Sequence, residues 1–390
     1  MRKASPDDET LLGIFRRFLR FGFLAWGGPV AQIAMIKHEL VDELRWIEPA
    51  RFSRLLAIYQ VLPGPEAHEL CVHFGMLKRG RLGGLLAGLG FMLPGLVLIL
   101  GISWLYGQLD LSRPPFAALF LGAQIGVVAL VARAVHRISD HVLVDPWLWA
   151  IAAAGGLAAL LGVSFWIILP AAGLTFALAG THRYLAVGIV IAGAISLALL
   201  TTGAGVTEPM RGSLDGVIKT GTIGAIPLFL SGLKAGLLTF GGAYTAIPFV
   251  RGDAVGRGWI SEHQFLDGLA LSGIIPAPLI IFATFVGYQA GGLAGGLAMT
   301  AGIFLPAFGF AILFFDRLEL VVEDQRLHRL LEGVAAAVVG LIAATTLELG
   351  ANLARGVPSL MAAIAIFLTS LALLYAWRSK LNVLAVLPLS

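Results

Sequence analysis

Cysteine is nearly absent. Cys71 is the only one in 390 residues, which excludes an intrachain disulfide and any CxxC metal or redox site. Charge is scarce too: Asp, Glu, Lys and Arg make up 13% of the chain, against roughly a quarter in a soluble domain. So little polar surface cannot face water all round, and lipid must solvate most of the molecule. There is no GxxxxGK[ST] phosphate loop and no HExxH zinc spacing, which argues against an ATP-driven pump within the chain and against a zinc enzyme. No basic run with interleaved aromatics occurs, so nucleic acid is not an expected partner. The expectation is a protein with no cofactor and no enzymatic activity.

What the chain has in excess is apolar residues, 58%, and glycine, 49 residues. Glycine and proline are commoner in membrane helices than in soluble ones. The net charge of +4 reads as Lys and Arg anchoring cytoplasmic loops. At the N-terminus, Leu11, Leu12, Phe15, Phe18 and Leu19 recur at helical spacing with Arg16, Arg17 and Arg20 between them. That pattern suits an interfacial helix better than a cleavable signal peptide. Apolar stretches then run near 21–36, 54–76, 83–106, 116–135, 147–162, 165–180 and 184–201, and again near 225–250, 265–290, 293–315, 331–351 and 358–376. A short stretch at 381–388 reads as interfacial. Residues 1–203 form one half, 204–222 a polar, Gly-rich linker, and 223–390 a second half.

The halves repeat. FLRFGFLAWGGPVAQIAM around Arg20 matches GLKAGLLTFGGAYTAIPF around Lys234, and RWIEPARF (45–52) matches GWISEHQF (258–265). VLPGP (61–65) matches IIPAP, and FGMLKRGRLGG (74–84) matches VGYQAGGLAGG (286–296). The offset stays between 212 and 214 throughout, too steady for chance. If each apolar stretch crosses once from a cytoplasmic N-terminus, KRGR (78–81), the Arg133/His136/Arg137 cluster, His182-Arg183, 316–329 and Arg378/Lys380 all fall inside. The second half then enters from the opposite face. Only KHELVDELRWIEPAR (37–51) lands outside with several basic residues, unless it folds back as a hairpin. The fold expected is an all-α polytopic membrane protein of two homologous halves, inverted in topology, with broken helices.

Two kinds of break recur. Gly27-Gly28-Pro29 is matched by Gly241-Gly242, and Pro63-Gly64-Pro65 by Pro276-Ala277-Pro278. Proline cannot donate a backbone hydrogen bond and disfavours helix before it, so each break stops one helix and lets another start. A new helix start offers free amides and a positive dipole end, an anion site. The competing reading is a plain kink, or glycine for close helix packing. After the first Pro-Gly-Pro come Glu66, His68, Glu69 and His73, without counterparts in the second half. Ionisable groups in apolar sequence are candidates for proton coupling, although Glu66 can equally serve as a helix cap. Arg20 and Lys234 are matched cations that either draw an anion toward the breaks or snorkel to the headgroups. Glu39 and Asp253 are acids at nearly equivalent positions.

Trp26-Gly27-Gly28-Pro29, Phe240-Gly241-Gly242, the pairs Arg45-Trp46 and Gly258-Trp259, LPGPEAHEL (62–70), Phe285-Val286-Gly287-Tyr288 and the Leu-Pro pairs at 93–94 and 305–306 resemble the chromate ion transporter family. The length resembles its long-chain, two-domain members. The resemblance implies gradient-driven export of chromate, a tetrahedral dianion, from the bacterial cytoplasm across the inner membrane, protecting the cell. Pro276-Ala277-Pro278 departs from the family's usual Pro-Gly-Pro, which puts equal binding at the two breaks in doubt. Sulfate or another oxyanion fits the same chemistry, and self-association as a homodimer is left open. A passive anion channel on the same fold and an intramembrane lipid-phosphate enzyme using Glu66, His68 and His73 are the rival readings.

Overall fold

In the computed structural model, residues 9–109, 114–179, 191–193, 195–196, 222–240, 242–315 and 325–376 are described, and every regular element among them is a helix. Residues 204–221 of the linker, most of the stretch 184–201, His182-Arg183, 316–324, Arg378/Lys380, the stretch 381–388 and Gly241 lie outside the described residues.

The first half opens with α1 (Leu11–Phe23), capped by Thr10, whose hydroxyl accepts the Gly13 amide at 3.0 Å. α1 buries Ile14, Phe18, Phe21 and Gly22. The chain leaves helical geometry after Phe23, passes through Gly27 at φ +84°, and resumes as α2 (Gly28–Lys37), with Pro29 in its first turn, before widening into a π turn, His38–Glu43. α3 (Pro49–Val61) stops at Leu62, and α4 (Glu66–Gln108) starts after Pro65. α4 is two limbs: Arg79 and Gly80 are non-helical, with Gly80 at φ +58°. The limbs fold back on each other, so that a Cβ on Gly75 would lie 2.3 Å from the Gly83 carbonyl oxygen.

The second half repeats this order with α8 (Ala225–Leu237), α9 (Ile247–Ala254), α10 (Glu262–Ile274) and α11 (Phe282–Leu313). α11 also folds at a glycine, Gly292, with φ +63°. Between the halves lie α5 (Pro114–Val142), α6 (Pro146–Leu160) and α7 (Phe165–Ala179); α12 (Gln325–Gly356) and α13 (Leu360–Ala376) follow α11. α12 packs on α6 and α7 through small residues, Gly340 against the Ala152 carbonyl and Gly173 against that of Leu330.

The stretches 21–36, 54–76, 225–250 and 265–290, expected to cross the bilayer once each, are therefore helix pairs broken in the middle. Glu39 returns to pair with Arg17 and Arg20 of α1, and Phe74 returns to stack on Phe52, so the chain doubles back after each break. A hydropathy window sums over both limbs of such a hairpin and cannot tell it from a crossing. The correction removes the one exception in the charge count. Residues 37–51 lie at the same end as the N-terminal helix and the KRGR turn: Arg17 and Lys78 both approach the Trp46 ring, and Arg79 donates to the Glu9 carbonyl. Of the helices long and apolar enough to span, four are found among the described residues, at Glu66–Gln108, Ala118–Val142, Leu279–Leu313 and Arg326–Gly356.

The repeat holds at the level of single contacts. A Cβ on Gly22 would lie 2.5 Å from the Phe91 carbonyl oxygen, and one on Gly236 2.4 Å from that of Ile303. Likewise Gly90 faces the Phe15 carbonyl at 2.8 Å, and Gly302 faces that of Phe229 at 2.2 Å. The long limbs of α4 and α11 run antiparallel, since Gly88 meets Phe308 while Leu100 meets Gly296. Antiparallel pairing is the relation an inverted repeat requires. Because the obstacle at Gly302 is backbone, Gly302→Val should cost about 1–3 kcal/mol through overpacking. Gly101→Ala, where a Cβ meets nothing within 4 Å, should be neutral. Thermal unfolding in detergent compares the two.

Candidate transport site

The broken helices meet crosswise. The first Pro-Gly-Pro break touches the second glycine break: the Gly64 amide donates to the Thr239 carbonyl at 2.8 Å, and Pro63 and Phe240 form an isolated antiparallel bridge. A Cβ on Gly242, whose φ is +117°, would lie 3.9 Å from Glu66 Oε1. The second proline break in turn touches the first glycine break. Gln32 Nε2, on α2, donates to the carbonyls of Ala25 at 3.0 Å and Ala277 at 3.1 Å, tying Gly27-Gly28-Pro29 to Pro276-Ala277-Pro278. Gly95 of α4 lies against Ala277, with room for no Cβ of its own. Each proline break is thus closed by a glycine break of the other half.

The first proline break carries the titratable groups. Glu66 is 7% exposed, His73 2%, and His68 and Glu69 are fully buried. Both carboxylate oxygens of Glu69 and both ring nitrogens of His68 lack a hydrogen-bond partner. The Glu69 carboxylate lies against Gly64, where a Cβ would stand 2.6 Å from Oε1. His68 sits among Phe91, Phe304 and Phe308, aromatic groups from both halves. His73 Nδ1 shares a 2.9 Å hydrogen bond with the Tyr59 hydroxyl, and its Nε2 is unpartnered. Native proteins leave few buried polar atoms unsatisfied. Such a concentration at a helix break marks a place built to receive a proton, water or an ion.

The matched cations and acids pair with one another. Arg20 and Arg17 bind Glu39, while Lys234 binds Asp253 at 2.6 Å. Ser231, at the position of Arg17, also donates to Asp253 at 2.6 Å. The two pairs stand at equal offsets in the repeat, so each half fastens its first helix to the segment that returns from its glycine break.

Several polar groups escaped the sequence reading. Asp267 on α10 accepts from Tyr106 at 2.6 Å and from Gln124 at 2.8 Å, and Gln124 also bonds His263. Its signal was that of a lone acid in an apolar stretch. Arg251, 2% exposed, is held in a bidentate bond with Glu262 and by Glu348 at 2.7 Å. Arg133 and Arg137, counted above among the charges that fall inside, lie in the later turns of α5. At the end shared by the N-terminal helix, a hollow of about 790 Å³ is lined by Arg45, Arg51 and Arg54 with Asp42 and Glu48. From it the exposed face of α3 (Arg54, Ala57, Gln60) leads toward the proline break.

Repeated halves whose interrupted helices meet end to end, with unpartnered ionisable groups buried where they meet, define a membrane protein of the secondary-transporter class. The chain belongs to the chromate transporter family, whose model matches residues 12–181 and 226–390. It is 58% identical to a chromate transport protein of Pseudomonas aeruginosa, over 99% of this chain and 92% of that protein. It is also 27% identical to the chromate transport protein of Cupriavidus metallidurans, over 93% of this chain and 92% of that one. A probable chromate transport protein of Synechococcus elongatus is 26% identical over 95% of this chain and 90% of its own length. No solved structure matches the chain.

Proposed function

We propose that the protein exports chromate from the bacterial cytoplasm across the inner membrane, with its N-terminus on the cytoplasmic side, and so confers chromate resistance. The observation that carries this reading is the crosswise meeting of the breaks around unpartnered Glu69 and His68, in a chain of the chromate transporter family. The helix starts after Pro65 and Pro278 and the backbone around Gly27, Gly28 and Gly242 supply amides to the oxyanion. Glu66, Glu69 and His73 handle protons during the cycle. The hollow lined by Arg45, Arg51 and Arg54 gathers anions at the entrance.

The physics of export favours a dianion. Moving one charge through 100 mV is worth about 2.3 kcal/mol, so two charges leaving an inside-negative cell gain about 4.6 kcal/mol per 100 mV. That suffices against a gradient of roughly three decades.

Labelled chromate uptake into inverted membrane vesicles tests the reading, with the membrane potential and the proton gradient collapsed separately and sulfate as competitor. Uptake that falls when the gradients are removed and resists a modest excess of sulfate is the expected result. Currents far above transporter turnover, with no gradient-driven accumulation, would point to a passive channel, and sulfate carried in preference to chromate would change the substrate.

A further inference from the structure

The rim of the arginine-lined hollow carries a strained residue. Arg45 has φ +51°, and it is the one residue other than glycine with a positive φ among the described residues. Its counterpart in the repeat is Gly258, at φ +69°. Both occupy the same kind of turn. After each, a tryptophan amide reaches back to the helix that has just ended: Trp46 donates to the Leu40 carbonyl at 2.8 Å, and Trp259 to that of Ala254 at 2.8 Å. A helix closed in this way takes a left-handed residue at its end, usually glycine, because a Cβ there is penalised. The second half uses the glycine, and the first half holds an arginine in its place against that penalty. We infer that Arg45 captures the transported oxyanion at the cytoplasmic mouth, and that its side chain is what the strained backbone is kept for.

The surroundings of Arg45 also belong to the first half alone. Arg51 and Arg54 line the same hollow, and in the register that matches Arg45 with Gly258 the second half has Gln264 and Asp267. Gln264 completes the capping box of α10 with Ser261, and Asp267 accepts from Tyr106 at 2.6 Å and Gln124 at 2.8 Å. One copy of the turn is therefore packed shut, with Trp259 and Asp267 buried. The other is open, with Arg45, Arg51 and Arg54 exposed. The basic hollow is not a by-product of the repeated scaffold.

Its charges are placed to receive an anion. Asp42 and Glu48 share the hollow, yet neither Arg45 nor Arg54 is held in an ion pair among the described residues. An exposed guanidinium exchanges water for a ligand at little cost, and its fork matches two oxygens of a tetrahedral dianion. A cleft lined by one excess sign of charge raises the local concentration of the opposite ion without setting the speed of later steps. Two structural roles compete with capture. A cation just past a helix end is favoured by the dipole, and an arginine near the membrane surface can hold a lipid phosphate.

This inference rests on reading the protein as a chromate exporter, and the test separates the two. KM and kcat for labelled chromate are measured in inverted vesicles for Arg45→Gln, Arg45→Gly and Arg45→Lys, with melting curves on the purified full chains. Loss of the charge should raise KM about fivefold or more, the worth of one ionic contact in water, and leave kcat unchanged. Arg45→Lys should fall between. The rise should shrink at high salt, where the field of an exposed charge is screened. Arg81→Gln, which removes the same charge from the KRGR turn, should leave KM unaltered. Arg45→Gly should melt about one degree or more above Arg45→Gln, because glycine relaxes a turn that glutamine still strains. A wild-type KM in both neutral variants, or an equal rise in Arg81→Gln, would overturn the assignment while leaving export in place. A rise that vanishes in proteoliposomes of phosphatidylcholine alone would overturn it too, by giving Arg45 to an anionic headgroup. Arg45→Gly melting below Arg45→Gln would remove the strain on which the inference stands. Wild-type vesicles that take up no chromate would remove the export reading itself. If one neutral variant fails to insert, the other and Arg45→Lys still give the comparison of KM.

Discussion

Asp253→Ala should cost about 3–5 kcal/mol of stability, the penalty for breaking a buried ion pair from one side. Asp253 has 3% side-chain exposure and receives Lys234 at 2.6 Å, Ser231 at 2.6 Å and Arg257 at 2.9 Å. Without it Lys234, 14% exposed and 5.1 Å from the Phe165 ring centroid, keeps a charge with little water to solvate it. The matched change in the first half, Glu39→Ala, should cost much less, nearer the ~1 kcal/mol of an exposed pair. Its cations Arg17 and Arg20 are 25% and 58% exposed and can turn to water. Converting Lys234 to Met in the Asp253→Ala background should recover part of the loss, because no buried charge is then left unpaired. Melting curves of the three variants in one detergent decide the matter. Equal losses at Glu39 and Asp253 would show that burial does not set the difference.

Glu69→Gln should keep the fold and abolish the response of transport to an imposed proton gradient. Glu69 is fully buried, and neither carboxylate oxygen has a hydrogen-bond partner, so glutamine, which is nearly isosteric and neutral, breaks no contact in the structure. An unpaired charge at this depth would be expensive, which is why a residue able to alternate between neutral and charged forms there is read as a proton carrier. Chromate uptake in vesicles at fixed membrane potential should fall by about tenfold or more, and the remaining rate should be the same with or without a pH difference. The loss corresponds to at least about 1.4 kcal/mol in the rate-limiting barrier. A variant that still follows the imposed pH difference would move the coupling role to Glu66 or His73.

The two variants probe different layers of the same repeat. The pairs Arg20–Glu39 and Lys234–Asp253 occupy corresponding places in the halves and fasten each to itself. Glu66, His68, Glu69 and His73 belong to the first half alone. The repeat therefore supplies the scaffold twice, and the groups able to exchange protons at a break only once. The second break, with Ala277 at its centre and Leu279, Ile280 and Ile281 after it, is apolar and buried.

Membrane character, the register of the repeat and the positions of the four breaks were legible in the amino-acid sequence, because each depends on chemistry within a few residues. Too few charges force a lipid solvent, a proline removes a backbone donor, and paired glycines at a constant offset mark equivalent backbone. Only the tertiary structure decided how those breaks are arranged. Whether a broken apolar stretch crosses or turns back depends on contacts such as Glu39 with Arg17, which a hydropathy window does not see. Which break meets which depends on Gly64 with Thr239 and Gln32 with Ala277, groups 175 and 245 positions apart. Arg20 and Lys234 looked like cations open to a ligand until the structure showed the acids that hold them. Backbone chemistry is local and can be read along the chain. Depth, pairing and burial are properties of distant segments brought together, so they emerge only in the folded protein.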